Sequence, residues 1–164
     1  LTIGTGIGGG ALVNGQLLHG YAHPEMGHIY LPRHESDLDF PGVCPFHGAC
    51  MEGLASGPAI EARWQQKAAS LPPDHPAWSL EAYYLAQGLM NICLTLAPQR
   101  IILGGGVMNQ GFLFPMIRSE LTRLLSGYVR LPEIEDMDRY VLPSSLAGIA
   151  GLYGGLALAH QAQL

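Results

Sequence analysis

The chain has 164 residues, enough for one core-forming domain or two small halves. Its residues are 48% hydrophobic and 13% charged, which excludes a disordered, solvated chain. A net charge of −5 with no basic run argues against nucleic acid as a partner. No apolar run reaches the ~18–20 residues that a bilayer span needs, since glycines at 148, 151, 154 and 155 interrupt the longest one, Leu146 to His160.

Leu1–Ile3 reads as the end of a buried strand, and the sequence opens without Met, as a piece of a longer protein would. Gly4-Thr5-Gly6-Ile7-Gly8-Gly9-Gly10 follows, with five glycines in seven positions. Such a backbone can reach positive φ and approach a ligand closely, and it suits either a phosphate cradle or a plain glycine turn. It lacks the Gly-Lys-Ser/Thr end of a P-loop, and no helix follows as a dinucleotide fingerprint requires. Ala11–Val13, Asn14-Gly15 and Gln16–His19 predict a β-hairpin with a two-residue turn.

His28, Cys44, His47 and Cys50 put two imidazoles and two thiols within 23 positions. A ligand every third residue across a Pro/Gly loop lets three of them converge. His28 would close a four-coordinate N/S site of the kind structural zinc prefers. Arg33 to Val43 is polar and flanked by Pro and Gly, a loop expected to be floppy unless metal ligation at its ends pins it. The remaining thiol, Cys93, lies in an apolar stretch and reads as a small buried hydrophobe. Three cysteines cannot all pair, which fits a reducing cytoplasm.

Glu52 to Leu54 predicts a short helical turn ended by Ser56-Gly57, and Pro58 then opens a helix over 59–69. Leu71 to Pro76 is a Pro-rich break. Ser79 is the expected cap of a long, nearly all-apolar helix to Leu96, central to the core. Arg100–Leu103 is a β-branched strand that runs into Gly104-Gly105-Gly106-Val107-Met108, with a helix over 112–126 beyond. Strand, glycines and helix in that order can put backbone amides before an anion or nucleotide. Leu131 to Met137 reads as a strand with Glu133, Glu135 and Asp136 in solvent. The last helix is expected over 146–160, its glycines permitting close approach to a neighbouring helix or sheet.

Three motifs in fixed order, Gly4 to Gly10, Glu25-Met26-Gly27-His28 with Cys44/His47/Cys50-Met51-Glu52, and Leu103 to Met108, resemble the C-terminal half of a ROK-family sugar kinase. The Cys-Pro-Phe-His-Gly-Ala-Cys run followed by Glu-Gly-Leu-Ala-Ser-Gly-Pro-Ala resembles the bacterial fructokinase branch, and the likeness covers essentially the whole chain. It implies an α/β, actin-like ATPase (ribonuclease H-like) fold, a mixed sheet flanked by helices with a zinc-pinned loop. Residues 1–164 would form the C-terminal lobe, ATP and Mg²⁺ lying against an N-terminal lobe outside this sequence. By resemblance, Gly4, Thr5 and Gly6 would meet the ATP phosphates; Pro58, Gly104, Gly105, Gly106, Val107 and Met108 would line the adenosine side. Glu25, His28 and Glu52 would contact hydroxyls of a hexose, fructose above all, and His28, Cys44, His47 and Cys50 would hold zinc.

His28 is thereby claimed twice, and an imidazole with two nitrogens can serve both. The family's catalytic Asp and its Asp-x-Gly-Gly-Thr phosphate loop belong to the N-terminal lobe. Asp37, Asp39, Asp74, Asp136 and Asp138 stand in unlike contexts, so the residues here should be inactive alone. The resemblance also implies a cytoplasmic homodimer. The alternative reading is the sugar-sensing domain of a ROK repressor, with DNA read by a segment upstream.

Overall fold

The computed structural model describes residues 1–130 and 132–161. Two short strands open the chain, β1 (Thr2–Ile3) and β2 (Ile7–Gly8), paired antiparallel around the tight Gly4–Gly6 loop. β1 also runs parallel to the end of β5 (Ile101–Leu103), with Ile3 N–H donating to the Gly104 carbonyl at 2.7 Å and Gly104 N–H to that of Leu1 at 3.0 Å. β6 (Val141–Pro143) extends the sheet parallel to β5. The order β2-β1-β5-β6 thus mixes both directions, as expected. The hairpin of β3 (Leu12–Val13) and β4 (Gln16–Leu17) forms around Asn14 and Gly15, both at positive φ. That is the twist a two-residue loop needs.

The core is built on α3 (Ala77–Leu96), which is buried over most of its circumference. Trp78, Tyr84, Leu85 and Leu89 on α3 are essentially inaccessible. Against it lies α4 (Leu113–Leu125), whose Leu113, Ile117, Leu121 and Leu125 form a buried stripe at a spacing of four. α3 begins three residues earlier than the Ser79 cap implies. The His75 ring accepts from Ala77 N–H at 3.1 Å and Trp78 Nε1 donates to the Pro72 carbonyl at 2.8 Å, so the Pro-rich break itself caps the helix.

α1 (Met51–Ala55) and α2 (Gly57–Trp64) meet at Ser56, whose Oγ accepts from Ala59 N–H. Pro58 is therefore the second helical residue. The helix expected to reach position 69 stops at Trp64, because Gln65 turns left-handed at φ 56°. The segment 131–137 is not a strand in its described part: Pro132–Glu135 and Met137–Tyr140 are helical turns, α5 and α6. Pro132 suits a first turn, and the Asp136 side chain caps the second by accepting from Arg139 N–H at 3.3 Å. Leu131 lies outside the described residues. Glu133, Glu135 and Asp136 are exposed, as expected.

The final helix, α7 (Ala150–Gln161), follows a 3₁₀ turn at Ala147–Ile149. Its glycines have no close neighbour, contrary to the packing role expected of them. Ile149, Leu152, Tyr153, Leu156 and Leu158 are all more than half exposed. The helix thus presents apolar side chains to solvent on several faces. No helix among the described residues is long and apolar enough to cross a membrane.

Candidate functional site

Residues 43–53 fold as a knuckle. Cys44 N–H and Gly48 N–H exchange hydrogen bonds with each other's carbonyls at 3.2 and 2.9 Å, and Val43 N–H donates to the Gly53 carbonyl at 3.0 Å. Tyr30 bridges Cys50, while Met51 N–H donates to the Ile29 carbonyl at 2.9 Å, drawing the His28 turn alongside. Four donors converge as a result. His28 Nδ1 lies 3.3 Å from His47 Nδ1, 3.7 Å from Cys44 Sγ and 3.6 Å from Cys50 Sγ, and Cys44 Sγ lies 3.8 Å from His47 Nδ1. Metal bonds of about 2.0 Å to nitrogen and 2.3 Å to sulfur would give tetrahedron edges of roughly 3.3–3.8 Å. The sequence-predicted ligand set is therefore assembled, all four within 4.8 Å of one another, and it can hold a metal ion.

The two thiols differ. Burial pushes Cys50 up. Burial acts the same way on Cys44, but the amides of His47 and Phe46 outweigh it and draw that thiol below its ordinary value. Cys93 is buried beside the Tyr140 hydroxyl at 3.2 Å, away from the cluster, as its apolar context predicts.

Next to this knuckle stands the glycine loop. Glu52, two residues past Cys50, sends Oε2 to the Ile7 amide at 2.9 Å. Gly57 N–H at the start of α2 donates to the Gly4 carbonyl at 2.8 Å. Thr5, between these anchors, is exposed. Glu25 is exposed too and pairs with His23 at 2.8 Å; its carbonyl accepts from His28 N–H at 3.0 Å.

A cleft of about 700 Å³ opens over the edge of the sheet. Gly8 to Gly10, Gly104 to Gly106 and Met108 line it, so both glycine segments face one space. Gly105 sits at φ 96° with its α-carbon against the Ile3 carbonyl, a position only glycine fills. The glycines lead into a 3₁₀ turn at Val107–Asn109, and α4 begins only at Leu113. Gly4, Thr5, Gly6, Pro58 and Val107 do not line the cleft; Val107 instead touches the Gly57 position beneath it. Sequence reading missed Asn109 in this lining, and also Ser144 and Gly151, which β6 brings to the cleft only through its parallel pairing with β5.

The fold defines the class first. A ROK family glucokinase from Streptomyces griseus, solved in complex with glucose and AMPPNP, superposes with a TM-score of 0.72 at 26% identity, over 98% of this chain and 59% of that one. The architecture is that of the actin-like ATPases. The ROK family model matches residues 1–162, and the chain belongs to that family. A Bacillus subtilis protein with a provisional fructokinase name is 53% identical over 163 residues, covering 99% of this chain and 54% of that protein. A Pediococcus pentosaceus fructokinase is 43% identical over 162 residues, with 99% and 55% covered. The chain thus spans about half the length of the curated relatives it matches.

Proposed function

We propose that residues 1–164 are the C-terminal lobe of an ATP-dependent hexose kinase that converts fructose to fructose 6-phosphate. The observation that carries this reading is the adjacency of three assemblies: the donor cluster, the Glu52-anchored glycine loop and the glycine-lined cleft. Fructokinases among the relatives favour fructose as the hexose. Zinc would be structural, held by His28 and His47 through Nδ1 and by the Cys44 and Cys50 sulfurs. A structural zinc contributes on the order of 10 kcal/mol, enough to fix the knuckle beside the sugar. His28 would keep Nε2 for a hydroxyl, which reconciles its two roles, with Glu25 and Glu52 nearby as acceptors.

Thr5 and the glycines on either side would face the ATP phosphates. Gly104 to Met108 would border the nucleoside, with Pro58 on the neighbouring helix. Bound Mg²⁺ neutralises charge on the transferring phosphoryl group. The carboxylate that receives the hydroxyl proton belongs to an N-terminal lobe, and the apolar surface of α7 is suited to its docking. The reading further includes a cytoplasmic location, consistent with three unpaired thiols, and a homodimer.

The test is to express the longer protein containing this sequence and to assay ATP-dependent phosphorylation of fructose, mannose and glucose. Turnover of fructose by the long form, with none from residues 1–164, is the expected result. Sugar-dependent DNA binding without turnover would replace this reading with the sensory domain of a ROK repressor.

A further inference from the structure

Glu52 stands between two sites rather than inside one. It follows Cys50 of the donor cluster at the start of α1, and its Oε2 reaches across to the Ile7 amide at 2.9 Å. Gly6 makes this approach possible: a Cβ there would lie 2.7 Å from that same oxygen. On the other side of the loop, Gly57 N–H holds the Gly4 carbonyl, and Ser56 N–H returns to the Glu52 carbonyl at 3.1 Å. The Ile7 carbonyl in turn rests against Gly27, in the turn that ends at His28. The loop is therefore gripped at both ends by the α1–α2 corner, and one grip is a charge-assisted bond from a half-buried carboxylate. A glutamate that served only to bind sugar would have no need of the loop amide.

We propose that Glu52 is a positioning residue for the glycine loop, coupling the sugar side of the site to the nucleotide side. This rests on the kinase reading above. One carboxylate oxygen fixes the Ile7 amide, and through it Thr5; the other is left to accept a hexose hydroxyl. A sugar that engages the free oxygen orders the carboxylate and with it the loop, so each ligand tightens the other. Linkage requires the effect to be reciprocal.

The experiment uses the longer protein, with fructose and AMPPNP as probes, in wild-type, Glu52→Gln and Glu52→Ala forms. Hydrogen exchange at the Ile7 amide should be about ten- to a hundredfold faster in Glu52→Ala, the loss of one bond to a charged group. Glu52→Gln, which keeps an acceptor oxygen, should fall between. By calorimetry, AMPPNP measured without sugar should bind about tenfold more weakly to Glu52→Ala. The wild-type tightening of AMPPNP by fructose, at least about fivefold, should drop towards one. Should Glu52→Ala fail to fold, Gly6→Ala displaces the same oxygen while leaving Glu52 in place, and should speed Ile7 exchange and weaken AMPPNP alike. A Glu52→Ala protein that loses fructose affinity alone, with Ile7 exchange and AMPPNP affinity at wild-type levels, overturns the inference while leaving the kinase reading standing. Wild-type protein that binds neither probe sinks the kinase reading and the coupling together.

Discussion

Replacing Asp37 by alanine tests what holds the 33–43 loop, which the sequence alone assigns entirely to metal ligation. The structure supplies a second anchor. The Asp37 carboxylate accepts from Arg63 Nε at 2.8 Å, Arg63 Nη2 at 3.1 Å and the Tyr84 hydroxyl at 2.6 Å. The two charged side chains are only 4% and 9% exposed. Arg63 also donates to the Leu54 carbonyl at 3.0 Å and lies 4.0 Å over the Phe40 ring. Removing one member of such a buried pair costs roughly 3–5 kcal/mol, because the other charge is stranded away from water. Arg63 would keep its carbonyl and its aromatic face, so the low end, about 3 kcal/mol, is expected. For a chain of this length that lowers Tm by about 6–12 °C. Taking Arg63 away as well, as Asp37→Ala/Arg63→Met, removes the stranded charge and should recover at least about half the loss. Urea unfolding followed by circular dichroism gives the energies, and tryptic cleavage after Arg33 reports the loop. A single-variant loss below about 1 kcal/mol, or a double variant no better than the sum of the two singles, would refute the reasoning.

Glu81 gives a pH prediction. It is 2% exposed, its Oε1 has no hydrogen-bond partner, and burial raises its pKa well above the ordinary carboxylate value, only partly opposed by Arg63. An acid held protonated in the fold binds more protons there than in the unfolded chain, so stability falls as pH rises from the unfolded value through the folded one. Glu81→Gln should raise Tm at pH 7, with its advantage shrinking as pH is lowered to 4; an advantage equal at both pH values would show that folding leaves the Glu81 pKa unshifted. Cys50→Ser should reduce zinc from roughly one ion per chain to none and open residues 43–50 to protease before the sheet is lost. Unchanged zinc content and unchanged resistance of that loop would disprove the ligand assignment.

Local signals carried much of this protein. The Asn14-Gly15 turn, the strand before Gly104, the extents of α3 and α4 to within three residues, and the clustering of His28, Cys44, His47 and Cys50 were all legible, since each depends on spacing within a short stretch. The cluster was legible because three of its four members sit three residues apart on one knuckle. The misreadings share a cause. The segment 131–137 reads as a strand, whereas Ile134, Met137 and Tyr140 recur every third residue, and the Asp136 cap and the packing of Ile134 and Tyr140 into the core settle 132–140 as helical turns. β6 is three residues long and exists only because β5 pairs with it in parallel, a contact no local pattern announces.

The sequence by itself determined which chemistry is present: thiols and imidazoles able to hold a metal, glycines for close backbone approach, carboxylates beside them. Tertiary structure alone decided how these are connected. It turned Asp37 from a loop residue into a buried anchor, because Arg63 and Tyr84 arrive from helices 26 and 47 positions away. It gave Glu52 a bond to Ile7 across 45 positions. Spacing encodes neighbours along one element; a carboxylate's partner across the core is fixed only when helices and sheet pack, since burial then demands that every charge be met.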